Sequence, residues 1–170
     1  MQTLQTPSFT ASHARAVQHA NGKIRRVFGD IMEPEKPFKA LTNLERNRFT
    51  VLILDFDRDM LQFHEDILGY FGFRTKTAAT FPEAIRIYKD GGVDMVICDH
   101  PMPGTTARIM LELFKRHDPH AKLVLASTLA LDTLDVGALK NAGAAAVVGK
   151  PYNLNGFIAI LDSQLAHSQT

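Results

Sequence analysis

Two features of residues 50–168 predict a parallel α/β sheet with helices on both faces. Short apolar, β-branched runs alternate there with longer segments of helical period, and five such units follow one another. The strands are placed at Thr50–Asp55 (TVLILD, β1), Arg74–Ala79 (RTKTAA, β2), Asp94–Asp99 (DMVICD, β3), Lys122–Ser127 (KLVLAS, β4) and Ala145–Lys150 (AAVVGK, β5). Four are near-continuous apolar runs, as strands buried on both faces require. In β2, Arg74 and Lys76 alternate with Phe73, Thr75 and Thr77, the pattern of an edge strand. Five units leave no room for a dinucleotide fold of two full halves. With β2 at an edge, the flavodoxin-like doubly wound order 2-1-3-4-5 of a (βα)5 sheet follows.

Between the strands, apolar residues recur at three- and four-residue spacing: Leu61, Ile67, Leu68 and Phe71, then Phe81, Ala84, Ile85 and Tyr88, then Ile109, Met110, Leu113 and Phe114. The fourth set is Leu131, Leu134, Ala138, Leu139 and Ala142, and the fifth is Leu154, Phe157, Ile158, Leu161 and Leu165. Gly72, Gly91-Gly92 and Gly143 stand where these helices should stop.

Residues 1–49 form an N-terminal extension, partly helical or disordered, ahead of the domain at 50–168. They carry eight Lys/Arg against four Asp/Glu, a net of +4, whereas residues 50–170 carry eleven against fourteen, a net of −3. Ala14, Val17, Ala20, Ile24, Val27 or Phe28, and Ile31 lie at helical spacing, and Pro34 and Pro37 end any helix in a linker. This segment reads either as a docking or membrane-surface helix with Lys23, Arg25 and Arg26 on its polar side, or as a frayed or self-packed extension. The overall charge of +1 does not call for nucleic acid or a membrane as main partner, so no direct DNA binding is expected. A single cysteine, Cys98, permits no internal disulfide. There is no apolar leader and no run near the about 18 apolar residues of a membrane span, so the chain reads as cytoplasmic.

Ligands of such a sheet bind at the carboxyl ends of the strands, where strand order reverses between β1 and β3. Asp55 and Asp99 each end an apolar strand there, and Lys150 ends β5. Two close carboxylates favour a hard divalent cation, and an ammonium can contact a phosphoryl oxygen. The set reads as a phosphoryl-transfer site, to which Ser127 or Thr128 would add a hydroxyl. Cys98 alternates away from Asp99 and reads as packing, and His64 reads as a partly buried core histidine. His100 is either a solvated loop residue or, beside Asp99, a metal ligand or second phosphoryl site.

VLILDFD at β1, DMVICDHPMPG at β3, Ser127-Thr128 after LVLA, and NAGAAAVVGKP at β5 together resemble the receiver domain of two-component response regulators, of chemotaxis-receiver-like type, over residues 50 to about 168. The resemblance implies that Asp99 is the phosphoacceptor, taking a phosphoryl group from a histidine kinase or phosphotransfer protein. Lys150 would contact the acyl phosphate, and its bond to Pro151 is cis in the family. Counting back from Gly143 and Lys150 puts Thr128 at the switch hydroxyl, and one inserted residue would make it Ser127. Magnesium is implied as cofactor, on Asp55, Asp99 and the backbone carbonyl of Pro101.

The departures bear on the metal and on signalling. The family places two adjacent acids at the end of β1, whereas here Phe56 follows Asp55. Asp57 either reaches the ion through a rearranged loop or a water, or caps the next helix. Thr105-Thr106-Ala107 replaces the usual acidic and glycine pattern, Leu129 stands where a small residue normally admits the phosphodonor, and Val147 takes the place of an aromatic switch.

Three functions follow. The first is a single-domain receiver, not an enzyme, that signals through protein–protein contact, since only a short tail follows the last helix. The second is a degenerate receiver acting as a phosphorylation-independent adaptor. The third is a haloacid-dehalogenase-type phosphatase, with Asp55 in LILDFDRD as nucleophile and Asp57 as general acid. That family needs a further acidic pair after the lysine, where only Asp162 remains.

Overall fold

The computed structural model describes residues 40–129, 131, 134–151 and 153–166, all within the compact unit Met32–Thr170. The helical spacing noted over residues 14–31, the proline linker and the last four residues lie outside the described residues.

The elements are α1 (Asn43–Arg46), β1 (Thr50–Leu54), α2 (Arg58–Tyr70), β2 (Arg74–Ala78), α3 (Phe81–Lys89), β3 (Met95–His100), α4 (Ala107–His117), β4 (Leu123–Ser127), α5 (Val136–Asn141), β5 (Ala144–Gly149) and α6 (Leu154–Ala166). The strands form one sheet in the order β2-β1-β3-β4-β5, every pair parallel. This is the flavodoxin-like doubly wound fold that the apolar runs and the edge character of β2 predict, with strand limits within a residue of those expected. Asp55 falls just past β1 rather than in it, and Lys150 just past β5.

Alternation of side chains across the sheet makes two cores. On one face Val51, Ile53, Ile97 and Val124 pack with Leu68 of α2 and Phe157 and Leu161 of α6. On the other, Leu52, Leu54, Val96 and Leu125 pack with Ala84 of α3 and Met110, Leu111 and Phe114 of α4. Each such large side chain withdrawn from water stabilises the fold by roughly 1.5–3 kcal/mol.

The α4 stripe differs from the expected one. Ala107, Met110, Leu111 and Phe114 are its buried residues, while Ile109 and Leu113 face outward. Both sets keep three- to four-residue spacing, so periodicity leaves the choice of face open. The fourth helical segment is also shorter than its apolar spacing suggests. Asp135 caps α5 through a bond from the Ala138 amide to its side chain, 2.8 Å, and Leu131 and Leu134 pack against the core ahead of the helix.

Gly72, after α2, has φ +96°, and a Cβ there would lie 2.6 Å from the carbonyl oxygen of Asn43. Only glycine lets α1 approach this turn. Residues 41–49 are thereby joined to the sheet domain, across the boundary that composition places at 49/50.

Cys98 lies wholly inside the second core, where burial, with a smaller contribution from Asp99, pushes its thiol up to about 12. The folded protein is therefore expected to resist a maleimide at pH 8 and to take up one equivalent in urea, because the thiolate is the reactive form. Full labelling of the native protein on the same timescale would contradict this packing.

Candidate functional site

The carboxyl ends of β1, β3 and β5 converge on one cleft of about 490 Å³, with Asp55, Asp99 and Lys150 in its lining. Asp55 and Asp99 are 2% and 6% exposed, a burial that carboxylates tolerate only with partners. Lys150 supplies them, its Nζ donating to Asp99 Oδ1 at 2.7 Å and to Asp55 Oδ2 at 3.2 Å. The remaining Asp55 oxygen, Oδ1, accepts the amide of Asp57 at 3.0 Å. One ammonium thus faces two carboxylates, leaving one formal negative charge to attract a cation.

Phe56 turns out to the mouth of the cleft, 55% exposed, and Met60 and Met102 complete an apolar wall. Asp57 also borders the cleft, but its Oδ1 caps α2, accepting the amides of Asp59 at 2.9 Å and Met60 at 3.4 Å. Of the two roles open to Asp57 in the sequence, the structure displays the cap. Among the described residues no cluster of three or more His, Cys, Asp or Glu side chains is arranged to hold a metal. The donors on hand are two carboxylates, with Pro101 beside them in the lining, and magnesium, which keeps several waters, can be held by one or two carboxylates.

The two hydroxyls part company. Thr128 lines the cleft, whereas Ser127 is buried, its Oγ accepting the Leu129 amide at 3.0 Å and meeting His100 Nδ1 at 3.2 Å. His100 is thus a half-buried residue of β3 rather than a solvated loop histidine. Burial lowers its pKa, against the opposing charge of Asp99. His64 is buried in α2, its pKa also lowered by burial first and by Lys150 next, and it stacks edgewise on Phe63. The His100–Pro101 and Lys150–Pro151 bonds are both cis. Thr106, in the altered loop, caps α4 by accepting the Ile109 amide at 3.3 Å.

The family model of the response regulator receiver domain matches residues 51–162, about two thirds of the chain. The chain belongs to the response regulator receiver family. The receiver is 28% identical over 113 residues to the chemotaxis protein CheY of Thermotoga maritima, covering 66% of this chain and 93% of that protein. Among solved structures it is similar to a receiver domain protein of Clostridium thermocellum, at TM-score 0.66 and 22% identity over 71% of this chain and 97% of that one. It is also similar to TrrA of Thermotoga maritima, solved in complex with Mg2+ and BeF, at TM-score 0.62 and 22% identity, covering 69% of this chain and 99% of that one. CheY in the CheX–CheY–BeF3–Mg complex of Borrelia burgdorferi matches at TM-score 0.62 and 27% identity, over 66% of this chain and 86% of that one.

Two features of this receiver leave little mark in the sequence. The first is the His100–Ser127 contact, whose only signal is that two polar residues end neighbouring parallel strands, where they fall opposite each other. The second is the fate of Asp162, the downstream acid that a phosphatase reading would require. Both of its oxygens are held by Arg46, at 2.9 and 2.7 Å.

Proposed function

We propose that this receiver is a signalling switch rather than an enzyme, in which Asp99 accepts a phosphoryl group from a phosphohistidine on a histidine kinase or phosphotransfer protein. The observation that carries this reading is the bridge from Lys150 Nζ to both Asp99 and Asp55 inside a cleft that Thr128 also borders. An Asp99 carboxylate oxygen forms the new P–O bond. The P–N bond of the donor breaks, and its electron pair returns to the imidazole. Lys150 would take a phosphoryl oxygen in place of one carboxylate, and Thr128 would donate its hydroxyl to another. A magnesium ion would be held by Asp55, Asp99 and the Pro101 carbonyl, and would supply neutralisation of phosphoryl charge. The magnesium in the TrrA and Borrelia CheY structures supports this. Output runs through contact with a protein partner, by a shift between two surface arrangements. The compartment that suits a lone buried thiol is the reducing cytoplasm. Among the described residues no helix is long and apolar enough to cross a membrane.

Phe56 favours a second reading, a receiver that binds its partner without phosphorylation. Intact mass after incubation with acetyl phosphate, with and without magnesium, separates the two. We expect one magnesium-dependent adduct of a single phosphoryl group on the wild type and none on Asp99→Asn. No adduct on the wild type, with a phosphohistidine protein also tried as donor, would select the adaptor. The phosphatase reading loses ground because Asp162 is committed to Arg46. Turnover of a small phosphate ester that vanished in Asp55→Asn and survived in Asp99→Asn would restore it.

A further inference from the structure

We infer that His100 is a positioning residue for the phosphoryl-transfer site, holding the turn that carries the Thr128 hydroxyl; this rests on the reading of Asp99 as phosphoacceptor. His100 follows Asp99 at the end of β3 and sits opposite Ser127 at the end of β4. It grips the turn after β4 in two ways. Its carbonyl accepts the Thr128 amide at 3.0 Å, and its ring Nδ1 meets Ser127 Oγ at 3.2 Å. The same Oγ accepts the amide of Leu129 at 3.0 Å, so Thr128 is fixed by the bonds of both its neighbours and its own amide.

Ser127 Oγ has capacity for both of these contacts. A hydroxyl has one hydrogen to give, and the Leu129 amide already occupies a lone pair of Ser127 Oγ. Nδ1 accepts the Ser127 hydrogen in one ring tautomer and donates to the second Oγ lone pair in the other, and in both a chain runs from Leu129 N–H through Ser127 Oγ to the imidazole. Ser127 is too buried for water to replace the ring without cost. The Ser127 carbonyl meanwhile accepts the Lys150 amide, so the chain also bears on the residue that bridges the two carboxylates. His100 thereby connects the backbone beside the acceptor to the hydroxyl and the ammonium that would receive the phosphoryl oxygens. It need not touch the phosphoryl group to do so.

A displacement of one hydrogen-bonding group by a fraction of an ångström costs rate without abolishing the reaction. We therefore expect His100→Leu to slow the appearance of the phosphoryl adduct from acetyl phosphate and magnesium by about fivefold, the size of one lost hydrogen bond. His100→Asn, whose amide oxygen offers an acceptor at the same remove from the backbone as Nδ1, should recover most of that rate. Ser127→Ala, which removes the other end of the contact, should match His100→Leu. The deciding protein is His100→Leu/Thr128→Ala, which should label no more slowly than Thr128→Ala alone, because the effect of His100 passes through that hydroxyl. Wild-type labelling by His100→Leu overturns the inference, as does an undiminished fivefold loss in the Thr128→Ala background, the mark of a merely structural role. If the wild type itself takes no phosphoryl group, the phosphoacceptor reading fails and this inference falls with it. If His100→Leu does not fold, the Ser127→Ala pair of measurements decides in its place.

Discussion

Replacing Arg46 by alanine is expected to remove about 3 kcal/mol or more of folding stability, the usual cost of leaving one member of a buried ion pair without its partner. The guanidinium meets Asp162 edge to edge, Nε on Oδ1 at 2.9 Å and a terminal nitrogen on Oδ2 at 2.7 Å. Its other terminal nitrogen donates to Asn43 Oδ1 and to the Phe71 carbonyl, and the guanidinium carbon Cζ lies 5.8 Å from the ring centres of both Phe71 and Phe73. The side chain of Asp162 is 1% exposed and, among the described residues, keeps only the Leu41 amide, at 3.1 Å, once the arginine is gone. Against a total stability of about 5–15 kcal/mol for a domain of this size, such a loss is severe. Urea unfolding of wild type and Arg46→Ala measures it directly. Arg46→Lys should recover little, since an ammonium cannot reproduce the two-pronged contact. Arg46→Leu/Asp162→Leu should be markedly more stable than Arg46→Ala, because it leaves no buried charge behind. A loss below about 1 kcal/mol in Arg46→Ala would place this pair among exposed ones, which contribute that little, and would contradict the docking of α1.

That ion pair also shows where sequence reading stops. The five strands are legible because each repeats one physical requirement, an apolar run between two helix layers, and β2 declares itself an edge through Arg74 and Lys76. Asp55, Asp99 and Lys150 are legible for a related reason: a charged residue directly after a buried run must be compensated, and the topology sends all three to one cleft. Arg46 and Asp162 are 116 residues apart, in a polar stretch and in the middle of an apolar helix, and no local pattern links them. Ser127 and Thr128 are adjacent hydroxyls, and only the pleat decides which is buried and which faces the cleft. Asp57 lies between two satisfactory roles, and the helix amides that need a cap engage it at Oδ1.

Phe56→Asp should tighten magnesium binding by at least about tenfold, since a further carboxylate near a divalent cation contributes well over the 1.4 kcal/mol that a tenfold change requires. The substitution is well placed for this test. Phe56 is more than half exposed and belongs to neither core, so shortening it costs little packing, and it borders the cleft beside Asp55. Among the described residues lining the cleft, Lys150 is the one ammonium, already shared between two acids. Without metal, the added repulsion should lower the melting temperature of the variant below that of the wild type. With magnesium in excess, the order should narrow or reverse, because an ion that binds the folded state more tightly stabilises it more. Thermal melts across a magnesium titration report both effects at once. A flat titration in Phe56→Asp would mean that Asp55 and Asp99 do not face a common cation site, and that Phe56 is not what separates this cleft from one with a full acidic set. A steep titration, with acetyl phosphate labelling that saturates at lower magnesium than in the wild type, would make Phe56 the residue that sets how much magnesium this receiver needs.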